Sequence, residues 1–161
     1  MAGTPTPHYN WPLPALTDPP DGPGQMAALG NAADATVFAQ AAKVTNVSTG
    51  FIAQPNWTLT TVFGLLIEIG VARLVQLKCD VTRTTSAITV PASGNLGDEA
   101  VVQLPASLRP QYYLAGSWTT GAISGGWYGD TTGLIKISDA YPSQTLAIGH
   151  KLQILTFYTL N

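Results

Sequence analysis

Gly70-Val71-Ala72-Arg73-Leu74-Val75-Gln76-Leu77-Lys78-Cys79-Asp80-Val81-Thr82-Arg83 decides the fold class. Val71, Val75, Leu77, Cys79 and Val81 share one parity, while Gln76, Lys78, Asp80 and Thr82 take the other. Successive side chains of a strand point to opposite faces, so this pattern is a β-strand with one face in a core and one in water. Cys79 falls on the inward parity and is the single cysteine, which excludes an internal disulfide and places the thiol in the core.

Upstream, Trp57 to Ile69 alternates less cleanly, with Leu65, Leu66 and Ile67 in a row, as expected of a strand buried on both faces. Glu68 then needs a partner, and an ion pair with Arg73 on the adjacent strand or a contact in a trimer would serve, ahead of any catalytic role. Downstream, residues 87–90, 100–104, 112–119, 122–128, 133–138, 145–148 and 151–160 read as further short strands. Thr120-Gly121 and Asp130-Thr131-Thr132-Gly133 are hairpin signals, and Gly149-His150 is another tight turn. The expected architecture is all-β, a jelly-roll-like antiparallel β-sandwich over residues 44–161.

The first 24 residues differ. They hold prolines 5, 7, 12, 14, 19, 20 and 23, seven of the twelve in the chain. Proline fixes φ and extends the residue before it, so this segment is an extended arm without a hydrogen-bonded ladder of its own. Tyr9, Trp11, Leu13 and Leu16 give the arm hydrophobic area to bury, which suits docking on a neighbouring subunit; a disordered tail is the alternative. Residues 25–43 form a short helix and connector. Asp21 can cap the helix, Pro23 can sit in its first turn, and Met26, Leu29 and Ala33 fall on one face. The helix is expected to end between Gly30 and Asp34; residues 35–43 can extend it or run as coil, with Thr36-Val37-Phe38 arguing mildly against a long helix.

Only 10% of the 161 residues are charged, against about 25% in an average soluble protein. So few charges leave an isolated chain poorly solvated, and part of the surface should be covered by other copies. The formal charge of −2 gives no reason to expect nucleic acid or an anionic membrane as partner. No stretch approaches the length and hydropathy of a membrane span, and the start of the chain lacks the basic and apolar regions of a signal peptide, so synthesis in a cytoplasm is expected. Asn46-Val47-Ser48 and Asn56-Trp57-Thr58 match the glycosylation sequon by chance on that reading.

Little in the chain suggests catalysis. The two imidazoles are His8, in the arm, and His150, in a turn. Asp98 and Glu99 are neighbours, and adjacent positions on an extended strand face opposite ways. No metal-ligand, nucleophile-elbow or phosphate-cradling motif is present, so no catalytic residue, metal or cofactor is expected. Tyr112, Tyr113, Trp118, Trp127 and Tyr128 lie among glycines 116, 121, 125 and 126. Such a cluster can stack on sugar rings, with Trp118, Trp127 and Tyr128 as candidate glycan-binding residues, or pack a core.

The pattern Tyr9-x-Trp11-Pro12-x-Pro14-x-Leu16-Thr17-Asp18-x-Pro20-Asp21-Gly22-Pro23-x-Gln25-x-x-x-Leu29-x-x-Ala32-x-Asp34 resembles the opening of virion proteins of actinobacterial tailed phages. Ile88-Thr89-Val90-Pro91, Leu104-Pro105-Ala106-x-Leu108-Arg109-Pro110, Gly133-Leu134-Ile135-Lys136-Ile137 and Tyr158-Thr159-Leu160 resemble the trimeric β-sandwich heads of phage adhesins and decoration proteins. The resemblance implies a non-enzymatic homotrimer on the virion surface. Its partner would be the major capsid protein, with the chain as a capsid decoration protein, or tail subunits, with the chain as a minor tail adhesin for a host-surface glycan. The absence of a long shaft between arm and strands sets decoration ahead.

Overall fold

A computed structural model describes residues 22–160. The chain divides into two units, Met1–Ala42 and Lys43–Asn161. In the first, the described structure is one helix, α1, Gly22–Gln40. It runs past the expected stop near Asp34. The alanines that follow are strong helix formers, and Thr36 Oγ1 donates to the Ala32 carbonyl at 2.8 Å, so the β-branched residue is satisfied locally instead of breaking the helix.

The second unit is all-β. Its strands are β1 Lys43–Val47, β2 Ile52–Ala53, β3 Trp57–Ile69, β4 Ala72–Arg83, β5 Ile88–Thr89, β6 Asn95–Gln103, β7 Leu114–Thr119, β8 Ser124–Gly129, β9 Leu134–Asp139, β10 Thr145–Leu146 and β11 Lys151–Thr159. Nine of them form one antiparallel sheet in the order β1-β3-β4-β11-β7-β8-β9-β6-β2, and β5 pairs with β10 in a separate ribbon. Where the sequence suggests two stacked sheets, the nine strands make one continuous sheet curled around its own core. Trp57 on β3 closes the curl by donating Nε1–H to Glu99 on β6 at 3.3 Å.

Register fixes what faces inward. Leu66 pairs with Val75 and Val62 with Cys79 across β3 and β4, and Cys79 pairs with Ile154 across β4 and β11. Val75, Leu77, Cys79 and Val81 are all buried, as their parity demands. Val71 is not: it sits in the Gly70-Val71 turn between β3 and β4, where the strand parity no longer applies. Burial, followed by the negative charge of neighbouring Asp80, pushes the Cys79 thiol up to about 12, so it stays protonated. The Tyr158 hydroxyl donates to the Leu108 carbonyl, fastening β11 to the 3-10 turn Ala106–Leu108, and burial raises its pKa.

A charged cluster bolts β4 to β6. Arg83 is buried and lies over the Trp57 ring, 5.0 Å from its centroid. Its Nη1 donates to Glu99 Oε1 at 2.5 Å and its Nε to the Ser86 carbonyl at 2.7 Å. Glu99 is aimed inward because Gly97 and Asp98 both take positive φ, 66° and 61°, bulging the strand just before it. Removing one member of such a pair strands the other charge. Arg83→Ala should lower unfolding free energy by about 3 kcal/mol in urea titration, and Arg83→Lys, lacking the planar fork, should recover little of it.

The hairpin between β8 and β9 depends on Asp130. Its Oδ1 accepts from Thr132 N at 2.9 Å and from Leu134 N at 3.1 Å, as well as from the Thr132 hydroxyl. Slight burial pushes the carboxyl up, but these donors, helped by Lys136, outweigh it and hold the pKa below the ordinary 3.8. A depressed pKa stabilises the fold fully above the ordinary value and loses that contribution as pH falls through the lowered one. Asp130→Asn should therefore be less stable than wild type at neutral pH, and the two unfolding midpoints should converge below pH 3.8.

Candidate binding face

The face of the sheet opposite the core carries a gradient. Outward residues of β4 run Leu74, Gln76, Lys78, Asp80, from apolar to charged. On β3 the same direction runs Ile67, Leu65, Phe63, Thr61, and on β11 it runs Phe157, Leu155, Gln153. Cross-strand pairs align the three gradients: Ile67 with Leu74, Phe157 with Gln76, and Gln153 with Asp80. Leu74 and Asp80 are six residues apart, roughly 20 Å along the strand.

At the apolar end, Phe157 is 69% exposed, Leu155 58% and Val44, paired with Ile67, 57%. The expectation that β3 is buried on both faces is not met within the β unit: Phe63, Leu65 and Ile67 are only half-buried, because no element of that unit covers their side.

At the polar end, a groove of about 550 Å³ opens over β3, β4, β11 and β7, lined by the apolar Phe63 and Leu155, which flank Lys78 on the two neighbouring strands, and by the polar Gln76, Ser117, Thr119 and Gln153. Asp80 lines it too, yet is only 1% exposed. Its Oδ2 lies 2.9 Å from Lys151 Nζ and 3.7 Å from Lys78 Nζ. Neither carboxylate oxygen accepts an aligned hydrogen bond. The alternation along β4 places Asp80 on the solvent face; in the structure it is instead buried beside Lys151 and Lys78.

The aromatic candidates divide. Trp118 and Trp127 are core, which removes them as sugar platforms. Each indole lies across the strand pair from a glycine, Trp118 opposite Gly125 and Trp127 opposite Gly116. A Cβ on Gly116 would come within 2.9 Å of Trp127 Nε1, and one on Gly125 within 2.0 Å of the Asp139 carbonyl. Gly116 seats the Trp127 indole and Gly125 lets the Asp139 backbone approach; the N–H groups of Trp118 and Trp127 donate to the carbonyls of Gly126 and Ser117 at 2.9 and 3.1 Å. Tyr128 does face outward, with Lys136 Nζ 5.5 Å from its ring centroid, and Tyr112 and Tyr113 are exposed.

Among the remaining expectations, Glu68 meets Arg73 at 3.2 Å and Lys43 at 3.7 Å, a structural ion-pair network. His150 accepts from Ala147 N through Nδ1 at 3.3 Å within its turn. Among the described residues no cluster of His, Cys, Asp or Glu could hold a metal ion, and no helix is long and apolar enough to cross a membrane. His8 and the arm residues Tyr9, Trp11, Leu13 and Leu16 lie outside the described residues.

No family model matches the chain and no curated protein matches it. In structure it is similar to the receptor binding protein (gp15) of Listeria phage PSA, with a TM-score of 0.58 at 16% identity, over 91% of this chain and 82% of that one; the likeness is one of fold.

Proposed function

We propose that this chain is a non-enzymatic structural protein of a bacteriophage virion, a homotrimeric receptor-binding protein of the tail that engages carbohydrate on the host surface. The fold shared with a phage receptor binding protein supports the tail over the capsid, reversing the order in which the sequence alone set the two. The opening motif, with its resemblance to actinobacterial phage virion proteins, favours the same kind of particle. On this reading Tyr9, Trp11, Leu13 and Leu16 tether the chain to a neighbouring tail subunit in place of the major capsid protein.

What carries the homotrimer is a mismatch within one strand. β3 is written for burial on both sides, and the β unit covers one. The uncovered side continues through Val44, Leu74, Leu155 and Phe157 into an apolar surface that ends at Lys78, paired with Leu155. Two further copies packing on this end would bury it, with more than about 2,000 Å² expected in a permanent assembly.

Light scattering on the purified chain should give three times the monomer mass, and Phe157→Glu, which places a charge in the middle of the contact, should give monomers with unchanged circular dichroism. A wild-type monomer at micromolar concentration overturns the trimer. For the role itself, fluorescently labelled protein should decorate host cells and compete with phage adsorption. Competition that survives periodate oxidation of the cell surface would exclude a carbohydrate receptor.

A further inference from the structure

We infer that the groove around Asp80 is a saccharide-binding site, taking a neutral pyranoside whose hydroxyls donate to the Asp80 carboxylate. The inference deepens the receptor-binding reading and rests on it for its biology, but its chemistry stands on the groove alone. A buried carboxylate whose lysine partners balance its charge but make no aligned hydrogen bond to it is costly, because its lone pairs have left water with only an ion pair in exchange. Asp80 is held in that state at the floor of an open groove. A ligand that brings donors completes it.

Hydroxyls are the donors the rest of the groove suits. Gln76 and Gln153 each offer an amide that both donates and accepts, and Ser117 and Thr119 offer hydroxyls that do the same. These are the groups that match a hydroxyl, itself donor and acceptor, better than a purely anionic or cationic ligand. Lys78, half-exposed at the rim, can donate to a ring or hydroxyl oxygen once the sugar takes its place beside Asp80. Phe63 and Leu155, one on each strand beside β4, offer apolar surface against which the C–H groups of a pyranose can lie. The two lysines already balance the Asp80 charge, so a neutral ligand leaves no uncompensated ion in the groove.

The test is isothermal titration of the full chain with methyl glycosides of a hexose, an N-acetylhexosamine and a 6-deoxyhexose, with glycerol phosphate as the anionic comparison. At least one neutral glycoside should bind, and Asp80→Asn, which keeps shape but weakens acceptance, should reduce its affinity at least about tenfold. Gln153→Ala alters an exposed side chain and leaves the core intact, so it serves where Asp80→Asn does not fold; it should reduce affinity several-fold. Failure of every neutral glycoside to bind, tighter binding of glycerol phosphate, or a glycoside affinity unmoved by both substitutions overturns the site. Cell decoration by the wild-type chain, measured alongside, separates the two claims. Decoration that both groove variants retain at full strength sinks the site and leaves the receptor-binding role standing. Glycoside binding lost in the variants, with no decoration even by wild type, supports the site and sinks the role.

Discussion

The two-sidedness of β4 is the constraint on which the rest of the molecule depends. Its inward side chains, Val75, Leu77, Cys79 and Val81, are the centre of the core, and both neighbours, β3 and β11, take their register from it. A slip of one residue would turn Lys78 and Asp80 inward and expose the valines, so the core enforces the pairing. The same enforcement spaces the outward residues, since whatever faces out on β3 and β11 must line up with what faces out on β4. The polarity gradient of the outer surface is thus held as rigidly as the core beneath it.

That coupling also gives the outer face a division of labour. Apolar side chains concentrated at one end suit permanent contacts between copies, where burial is favourable and charge would be costly. Hydrogen-bonding groups at the other end suit a ligand that must come and go. Phe63 and Leu155 stand between the two, so a groove would lie close to the rim of an assembly built on the apolar end.

Much of this was legible in the sequence. The alternation in residues 70–83, the Gly and Asp-Thr-Thr-Gly turns and the positions of the later strands all follow from local chemistry, and they survive in the structure with shifts of a few residues at their ends. Pairings between distant segments did not show. Nothing near Arg83 in sequence announces Glu99 as its partner, and the bulge that aims Glu99 inward involves a non-glycine residue at positive φ. The Trp and Gly cluster was visible, but its meaning depended on which glycine lies across from which indole, a matter of register. The mixed character of β3, with apolar residues on both parities, was read correctly as a pattern. Within the β unit nothing covers its outer side.

The place of β11 has a consequence for biosynthesis. The latest strand in the sequence among the described residues lies in the middle of the sheet, joining β4 on one side to β7 on the other. While it is still inside the ribosome, the nascent chain can form β1-β3-β4 and β7-β8-β9-β6-β2 only as two open fragments, each with an unpaired edge and an uncovered apolar side. Domains usually mature in the order of synthesis. Here the decisive long-range pairing comes last, so the sheet closes only once β11 is available, and a chain stopped short of it is the species most exposed to aggregation.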